Sequence, residues 1–347
     1  MQGSIAAGAA VGAPYIFVPG AKTALAAGAA VHPNIDDLRV VGITDAKMTT
    51  EVQKRSNWAR QEQLVSAKPI QANIDKLACA LAKEKDPPKA WKAILVKPAK
   101  KSWADTVVAV KTNNIFVQHT RSPVIAKVCH VLTDVLGVKP GNVHIYDASH
   151  GADMATKTPF KGLPEGCRVE KNWGGFTVKR PVGAPFKGGS AKCVKALTDD
   201  SVDILINIAL CKGHGRSFGG FTMTMKNHLG SFEPRPAHKE WMAYLIGINK
   251  SPEILGRIDK RTGKLLYPRQ QLCLIDALWA SDKGPMGPPS VQPNFLAMGV
   301  FGPAVDYLMA TQFRVKKMGW KYSAEPVGRM LKAFGIKAED FGTIVPA

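Results

Sequence analysis

The sequence predicts an α/β fold built on a largely parallel sheet with helices on both faces. Five short segments are continuously apolar and rich in β-branched residues, which is typical of strands covered on both sides. Each segment ends in polar residues, so long loops are predicted at the carboxyl ends of the strands, where such sheets bind ligands. The five predicted strands are 38–43, 107–110, 143–146, 204–210 and 272–275.

A clear helical pattern separates the second and third strands. Ser122 is a candidate N-cap, Pro123 suits a first turn, and Gly137 is typical of a helix end. The apolar residues that recur with helical spacing are Val124, Ile125, Val128, Leu132 and Val135. A strand, a helix and a strand in this order predict a right-handed crossover between parallel strands.

The composition predicts one α/β domain over residues 31–347. Apolar residues make up 45% of the chain and charged residues 21%, which is typical of a globular protein. Residues 154–192 are rich in Gly, Pro and Lys without a clear period, and we interpret them as a long excursion that could separate two lobes. Further helices are predicted for 74–82, near Trp91, and within 324–341.

The charge balance predicts an anionic partner. Lys and Arg number 47 against 27 Asp and Glu, which gives a net charge of +20. Such a surplus attracts nucleic acid, anionic lipid, acidic proteins, or small carboxylates and phosphates. The basic residues are spread along the chain, whereas a nucleic-acid binder more often carries a concentrated basic stripe with aromatic residues. A small anionic molecule is therefore favoured over a specific nucleic acid.

Residues 1–30 are predicted to lie outside the fold, as an export leader or a flexible tail. The segment consists almost entirely of small and apolar residues and carries a single charge. Pro14 and Pro19 would break a spanning helix, so no transmembrane segment is predicted. Ala24 and Ala26 suit a signal-peptidase site. The low hydrophobicity favours the twin-arginine export machinery, although paired arginines are absent, and predicts a periplasmic protein.

The segment 211–230 holds the densest cluster of chemically capable residues. Its five glycines allow the backbone to approach a ligand and to point N–H groups at it. Two lysines, an arginine and two histidines surround these glycines, which predicts a cradle for an anion with a histidine available for proton transfer. The sequence contains neither GxxxxGK[ST] nor GxGxxG, so neither nucleotide-binding fingerprint is present.

Two weaker motifs lie in the same segment. A GxSxG match is centred on Ser217, but this serine lies seven residues past the strand, whereas a nucleophile elbow needs it directly between strand and helix. Cys211 and His214 have a CxxH spacing that could form half of a metal site, with His228 or His238 completing it. The six cysteines form no CxxC pair, so the sequence leaves both the metal and the cofactor unidentified.

Several pieces of the chain match one family pattern. The central pieces are DILIN at 203–207, KGH at 212–214, Thr222, KN at 226–227 and Gly230. The flanking pieces are VAVKTN at 108–113, Arg235, His238, DA at 276–277 and GP at 284–285. Over roughly residues 38–318, the chain therefore resembles the family known as domain of unknown function 362. The family usually has Asp-Pro-Val-Ala-Val-Asp near its end, where this chain reads GPAVD at 302–306 and lacks the first Asp.

The strand ends and the resemblance together predict one cleft. The resemblance implies a fold and a site, but no reaction, because the family has no settled activity. The candidate catalytic residues are His214, Lys226 and His238. The candidate ligand-binding residues are Lys111, Asn113, Lys212, Thr222, Asn227, Arg235 and Asp276. In this cleft, lysines would supply charge, asparagines hydrogen bonds and histidines proton transfer.

Two classes of function remain open from the sequence. The favoured interpretation is an exported enzyme or ligand-binding protein that acts on a small anionic molecule, such as an organic acid. The alternative is a metal- or cofactor-binding accessory protein of a redox system, without turnover. The order His214, Lys226 and His238 is also similar to that of nickel-pincer lactate racemases, where a lysine tethers the cofactor and histidines bind nickel or move protons. That similarity is one of order and residue type, and it is an analogy.

Overall fold

The central element of the fold is an eight-stranded sheet. The computed structural model of the protein describes residues 15–16, 32–35, 38–51, 58–115, 118–150, 160–170, 173–258 and 264–347. In chain order, the described strands are β1 (Tyr15–Ile16), β2 (Val41–Thr44), β3 (Val108–Lys111), β4 (Asn114–Ile115), β5 (Gln118–His119), β6 (Val143–Tyr146), β7 (Arg168–Val169), β8 (Phe176–Pro181), β9 (Ser190–Val194), β10 (Ile204–Leu210), β11 (Lys212–Gly213), β12 (Phe221–Thr222), β13 (Gly256–Ile258), β14 (Lys264–Pro268), β15 (Gln270–Ala277), β16 (Phe295–Gly299) and β17 (Val345–Pro346).

The sheet is largely parallel, as the sequence predicts. Its strand order is β17-β2-β16-β15-β10-β3-β6-β7. Only β16 runs antiparallel to its neighbours, while every other adjacent pair in this sheet is parallel. The carboxyl ends of β15, β10, β3 and β6 therefore lie side by side at one edge of the sheet.

Helices cover both faces of this sheet. In chain order, the described α-helices are α1 (Trp58–Leu64), α2 (Ala67–Ala82), α3 (Pro87–Ile94), α4 (Ser122–His130), α5 (Thr224–Asn227), α6 (Trp241–Asn249), α7 (Pro252–Leu255), α8 (Gly302–Leu308) and α9 (Ala324–Ala333). One core contains α2, α3 and α4, and the other contains α6, α8 and α9. The α/β fold with helices on both faces is thus confirmed.

The alternation of side chains along the strands decides which residues reach the site. On β3, Val108 and Val110 enter the core beneath α2, while Ala109 faces the opposite core. Because side chains alternate with a period of two, Lys111 shares the face of Ala109. Asn207 of β10 lies beside Lys111 in the parallel register, between Leu205 and Ala209, which face the same core. Two polar side chains are thereby placed inside an otherwise apolar layer.

The predicted strands agree with the structure to within a few residues, and the helix of 122–137 differs in its details. The helix begins at Ser122, so Arg121 occupies the cap position, and the Ser122 hydroxyl instead accepts the Lys161 N–H at 3.0 Å. A π-helical segment, Val131–Val135, continues α4, and Gly137 follows it with φ of 81°. The helices predicted for 74–82, near Trp91 and within 324–341 correspond to α2, α3 and α9.

The predicted excursion of 154–192 contains more regular structure than its composition suggested. Its described part carries β7 at the sheet edge and the antiparallel pair of β8 and β9. The sequence missed these strands because Gly, Pro and Lys interrupt their patterns. The sequence also missed β16, which is only five residues long and contains no β-branched residue.

The predicted leader falls almost wholly outside the described residues. Within it, only β1 is described, and it pairs with β14 in an antiparallel arrangement. The export prediction therefore stays a prediction. Among the helices of the described part of the chain, none is both long enough and apolar enough to cross a membrane.

Candidate functional site

A cavity of about 280 Å³ opens at the carboxyl edge of the parallel strands. Asn113 follows β3, Asp147 follows β6 and Lys212 follows β10, and together these residues form a polar floor. The walls are largely apolar and consist of Ile115, Phe218, Leu229, Pro234, Ala237, Trp241, Pro285 and Met286. The remaining residues that line the cavity are Ser149, His214, Thr222, Lys226, Asn227, Gly230 and His238. An apolar cleft with a few converging polar groups is typical of a small-molecule site.

Lys111 lies beneath the floor of the cavity and forms a buried ion pair. Its Nζ lies 3.3 Å from Asp147 Oδ1 and donates hydrogen bonds to Thr112 O at 2.5 Å and Asn227 Oδ1 at 3.2 Å. Burial alone would raise the pKa of Asp147, but Lys111 and the N–H groups of Asn114 and Ser149 lower it. Burial lowers the pKa of Lys111, and the Asp147 carboxylate opposes this effect. The charge of Lys111 is thus already compensated within the protein.

Lys212 has a different environment, although it is equally buried. Its strand β11 pairs with β12, where Lys212 lies opposite Thr222. The Nζ atom donates to Asn113 Oδ1 at 2.7 Å and to Gln118 O at 3.1 Å, and both acceptors are neutral. Burial lowers the pKa of Lys212 well below its usual range; the nearby positive charges of Arg121, Lys226 and Lys111 add to this effect, and the Asp147 carboxylate opposes it.

A row of asparagine amides connects the two buried lysines. Asn113 Nδ2 donates to Asn227 Oδ1 at 3.0 Å, and this oxygen also accepts from Lys111. Asn227 Nδ2 in turn donates to Asn207 Oδ1 at 2.8 Å. Asn207 completes the row by donating to Thr224 O at 2.9 Å. Because each amide has a defined partner on both its oxygen and its nitrogen, the network fixes the orientation of the floor.

A buried carboxylate on another helix holds the short helix α5 in place. Asp306 of α8 accepts the Thr224 hydroxyl at 2.5 Å and the N–H groups of Thr224 and Met225 at 2.8 and 3.0 Å. These N–H groups belong to the first turn of a helix, where no partner exists within the helix itself. The negative charge also complements the positive end of the helix dipole. Asp306 thereby positions Lys226 and Asn227, which follow on the same helix.

Lys226 projects into the cavity as a half-buried ammonium group. Its Nζ lies 4.9 Å from the centre of the Phe218 ring, which is within the range of a cation–π contact. Within the described part of the chain, no hydrogen-bond acceptor or carboxylate pairs with this Nζ. Burial lowers the pKa of Lys226 to about 8. The amine is therefore mainly charged at neutral pH and lacks a counter-ion among these residues.

Two histidines and two aromatic rings form the outer wall. His214 packs edge-on against Phe218 at 4.4 Å, and His238 packs against Trp241 at 4.9 Å between ring centres. The Gly215 N–H donates to His214 Nδ1 at 2.7 Å, so the neutral His214 ring carries its proton on Nε2. Burial and the charges of Lys226 and His238 lower the pKa of His214 to about 3. His214 is a neutral imidazole at physiological pH.

Seven of the ten candidate site residues line this one cavity. They are Asn113, Lys212, His214, Thr222, Lys226, Asn227 and His238. Lys111 lies directly below them and contacts Asn227. The structure does not bring the other two into the cavity. Arg235 is exposed and does not line it, and buried Asp276 forms an ion pair with Arg121 at 3.3 Å between Oδ1 and Nη1.

Sequence reasoning missed several residues that shape the site. Asp147 and Asp276 each follow a predicted strand directly, so the sequence gives no reason to prefer either. Asp147 lines the cavity, and Asp276 does not. Asp306 belongs to the GPAVD segment, which departs from the family pattern, and its role depends on its contact with α5, which the sequence does not show. Phe218 and Trp241 are dispersed in the sequence and meet through tertiary packing at 4.3 Å between ring centres.

The two weaker motifs do not form sites in the described structure. Ser217 is exposed in the 3₁₀ segment Arg216–Phe218 and does not line the cavity. Cys211 is buried, with its Sγ 3.8 Å from Nη1 of Arg314, while His214 lines the cavity. Among the described residues, no group of three or more His, Cys, Asp or Glu side chains is arranged to hold a metal ion.

The fold and the site define an α/β protein with a lysine-rich cavity at the carboxyl edge of its parallel strands. The chain belongs to the family described as Domain of unknown function (DUF362), whose model matches residues 108–311. The matched region runs from the start of β3 into the segment after α8, and it includes every residue that lines the cavity. Comparisons with curated proteins and with solved structures gave no match.

Proposed function

We propose that the cavity binds a small organic anion, and that the Lys226 ammonium group is the main charge that holds it. The observation that carries the proposal is the contrast between Lys226 and Lys111. Lys111 has Asp147 as its counter-ion, whereas Lys226 faces the cavity without a carboxylate partner among the described residues. An unpaired, partly buried cation favours an anion more strongly than a solvated one does, because less water screens the interaction.

The acidic side chains near the cavity support this interpretation, since each is already paired. Asp147 is bound to Lys111, and Asp276 is bound to Arg121. The charges of both carboxylates are compensated in these ion pairs, so their repulsion of an incoming anion is weakened. The net charge of +20 adds a long-range attraction for anions.

The polar lining offers neutral groups that could orient the ligand. The Thr222 hydroxyl is buried, lines the cavity and has no hydrogen-bond partner among the described residues. A buried hydroxyl without a partner is costly, so a ligand atom that bonds to it gains that energy on binding. His214 also lines the cavity, and its neutral ring carries an Nε2–H that is a further donor for the ligand. Binding is the step that an enzyme and a non-catalytic receptor would share.

Calorimetry with succinate, pyruvate, lactate and phosphate tests the proposal. We expect at least one of the carboxylates to bind the wild-type protein, and Lys226→Met to weaken binding by about tenfold or more, since a hydrogen bond to a charged group contributes about 1.5–3 kcal/mol. The melting temperature of the unliganded variant should be unchanged or higher, because removing a partly buried charge relieves its desolvation and so offsets the lost contact with Phe218. Lys332→Met, at an exposed position on α9, is the matched control. Equal affinities in the wild type and Lys226→Met would contradict the proposal.

We further propose that the protein is exported through the twin-arginine route and acts in the periplasm. The proposal depends on the small, weakly hydrophobic residues of 1–30 and on the small residues at Ala24 and Ala26. Cell fractionation followed by N-terminal sequencing is the test. Protein recovered from the periplasm with a new N-terminus close to Ala26 is the expected result, and intact protein confined to the cytoplasm would refute it.

A further inference from the structure

The hydrogen bonds of Lys212 match those of a neutral amine. A neutral amine has two N–H donors and one lone pair, whereas an ammonium group has three donors. Lys212 Nζ has two acceptors, Asn113 Oδ1 and Gln118 O. Lys111 provides the internal comparison, because its Nζ has three partners, and one of them is a carboxylate. The two buried lysines are thus built for different protonation states.

The surroundings of Lys212 favour the same state. No carboxylate of the described residues lies within 4 Å of its Nζ, and the nearby Asp147 forms its ion pair with Lys111. Burial is the main cause that disfavours its positive charge, and the charges of Arg121, Lys226 and Lys111 act in the same direction, while the Asp147 carboxylate opposes them. Although Lys212 is only 1% exposed, it is among the residues that line the cavity. A desolvated lysine beside other cations is the arrangement that activates lysine as a nucleophile.

We propose that Lys212 forms a Schiff base with the carbonyl group of a small oxo acid held in the cavity. This inference rests on the proposed function, because it takes the Lys226 ammonium as the partner of the acid's carboxylate. It adds the substrate class, which is an acid with an aldehyde or ketone group beside or near the carboxylate.

The reaction is balanced without any further reagent. The lone pair of Lys212 Nζ forms a bond to the carbonyl carbon, and the carbonyl π electrons move to the oxygen, which takes up a proton from the nitrogen. The resulting carbinolamine loses its hydroxyl group and the remaining N–H proton as water when the C=N bond forms. No atom is oxidised or reduced by an external agent. If the imine is protonated, its single N–H can still donate to Asn113 Oδ1.

Reductive trapping tests the inference directly. Wild-type protein is incubated with pyruvate, glyoxylate or 2-oxoglutarate and sodium cyanoborohydride at neutral pH, and then analysed by intact mass and peptide mapping. A reduced adduct adds the mass of the oxo acid less one oxygen atom. We expect it on Lys212, at a rate about tenfold or more above that of the exposed Lys332, because each unit by which a lysine pKa is lowered raises its neutral fraction about tenfold. Excess succinate, which has no carbonyl group, should slow the labelling.

Two variants, together with the peptide map of the wild-type protein, distinguish the possible outcomes. Lys212→Arg keeps N–H donors but loses the nucleophile and adds a permanent charge, whereas Lys212→Met is uncharged and keeps much of the apolar stem, so both should lose the adduct while retaining a folded spectrum. If either variant unfolds, the labelling site in the wild-type protein still decides the question. An adduct on Lys226 or on exposed lysines alone would overturn the inference. Absence of any adduct, with pyruvate and succinate still bound in calorimetry, would overturn the Schiff base and leave the proposed function standing. Absence of binding by these acids would refute both.

Discussion

Lys111 Nζ and Asp147 Oδ1 lie 3.3 Å apart at the end of two adjacent parallel strands, and each side chain is only 1% exposed. The pairing follows from the register, which places Lys111 beside Tyr146 and so brings the next residue of that strand to the same edge. The pair carries no net charge. It therefore supports the cavity floor and leaves the binding of an anion to other lysines.

Asp147→Asn should destabilise the protein by about 3–5 kcal/mol, because the change leaves the Lys111 charge buried without its partner. The measurement is urea denaturation at neutral pH. Glu325→Gln is the control, since it removes an exposed i,i+4 pair with Arg329 and should have a much smaller effect. Adding Lys111→Met to Asp147→Asn should recover part of the loss. Similar stabilities of Asp147→Asn and the wild type would show that the pair does not act as described.

Gly230→Ala should destabilise the protein by about 1–3 kcal/mol through overpacking. A Cβ atom at this position would lie 2.5 Å from Lys111 Cε, and closer still to Asp147 Oδ1. Gly328→Ala is the control, because it lies inside α9 with nothing within 4 Å of an added Cβ, and it should be neutral or stabilising by up to about 1 kcal/mol. Thermal and urea unfolding of both variants make the comparison. A Gly230→Ala protein as stable as Gly328→Ala would mean that the ion pair moves aside without cost.

The affinity for succinate should fall as the pH rises through about 8. The free protein has a Lys226 pKa of about 8, lowered by burial, so the ammonium form that binds the anion is lost above that pH. Each further pH unit should then raise Kd by about tenfold, until the higher pKa of the bound state is passed. Lys226→Arg keeps its charge over this range, so its affinity should be nearly constant from pH 7 to pH 9. Calorimetry at a series of pH values distinguishes the two profiles.

The sequence predicts a strand or helix correctly where its hydrophobic pattern matches the environment that the tertiary structure gives that element. Buried parallel strands must be apolar on both faces, and that requirement marked β10 and β6 along their full lengths. The antiparallel strand β16 escapes prediction, although all its residues are buried, because it is short and contains none of the β-branched residues that mark the other strands. The length of α2 was underestimated for a related reason. Its first turn contains Lys68 and Pro69, which weaken the helical pattern before the apolar face begins.

The candidate site was likewise predictable where it depends on strand topology and unpredictable where it depends on tertiary partners. Residues that follow parallel strands, such as Asn113 and Lys212, share an edge because of topology alone, so their proximity was predictable. Whether each of them faces the cavity depends on its partner. Asp276 forms an ion pair with Arg121, and no sequence pattern marks this arginine, which occupies the cap position of α4. The protonation states of Lys111 and Lys212 also depend on such partners, and they could not be assigned without the structure.

Asp306 should prove essential for the position of Lys226, although it does not line the cavity. Asp306→Ala removes the acceptor of three donors at the start of α5 and should cost about 2–4 kcal/mol of stability, together with a loss of succinate affinity.

Burial raises the pKa of Asp306 from 3.8 to about 6, despite these hydrogen bonds. Between pH 4 and pH 6 the native state therefore binds more protons than the unfolded state, so this carboxyl's contribution to the free energy of unfolding falls as the pH rises. Denaturation of the wild type and Asp306→Asn at pH 4 and pH 7 provides the test, because asparagine has no proton to lose. We expect the free energy of unfolding of the wild type, relative to that of Asp306→Asn, to be higher at pH 4 than at pH 7. The opposite order would show that Asp306 is held in its charged form throughout.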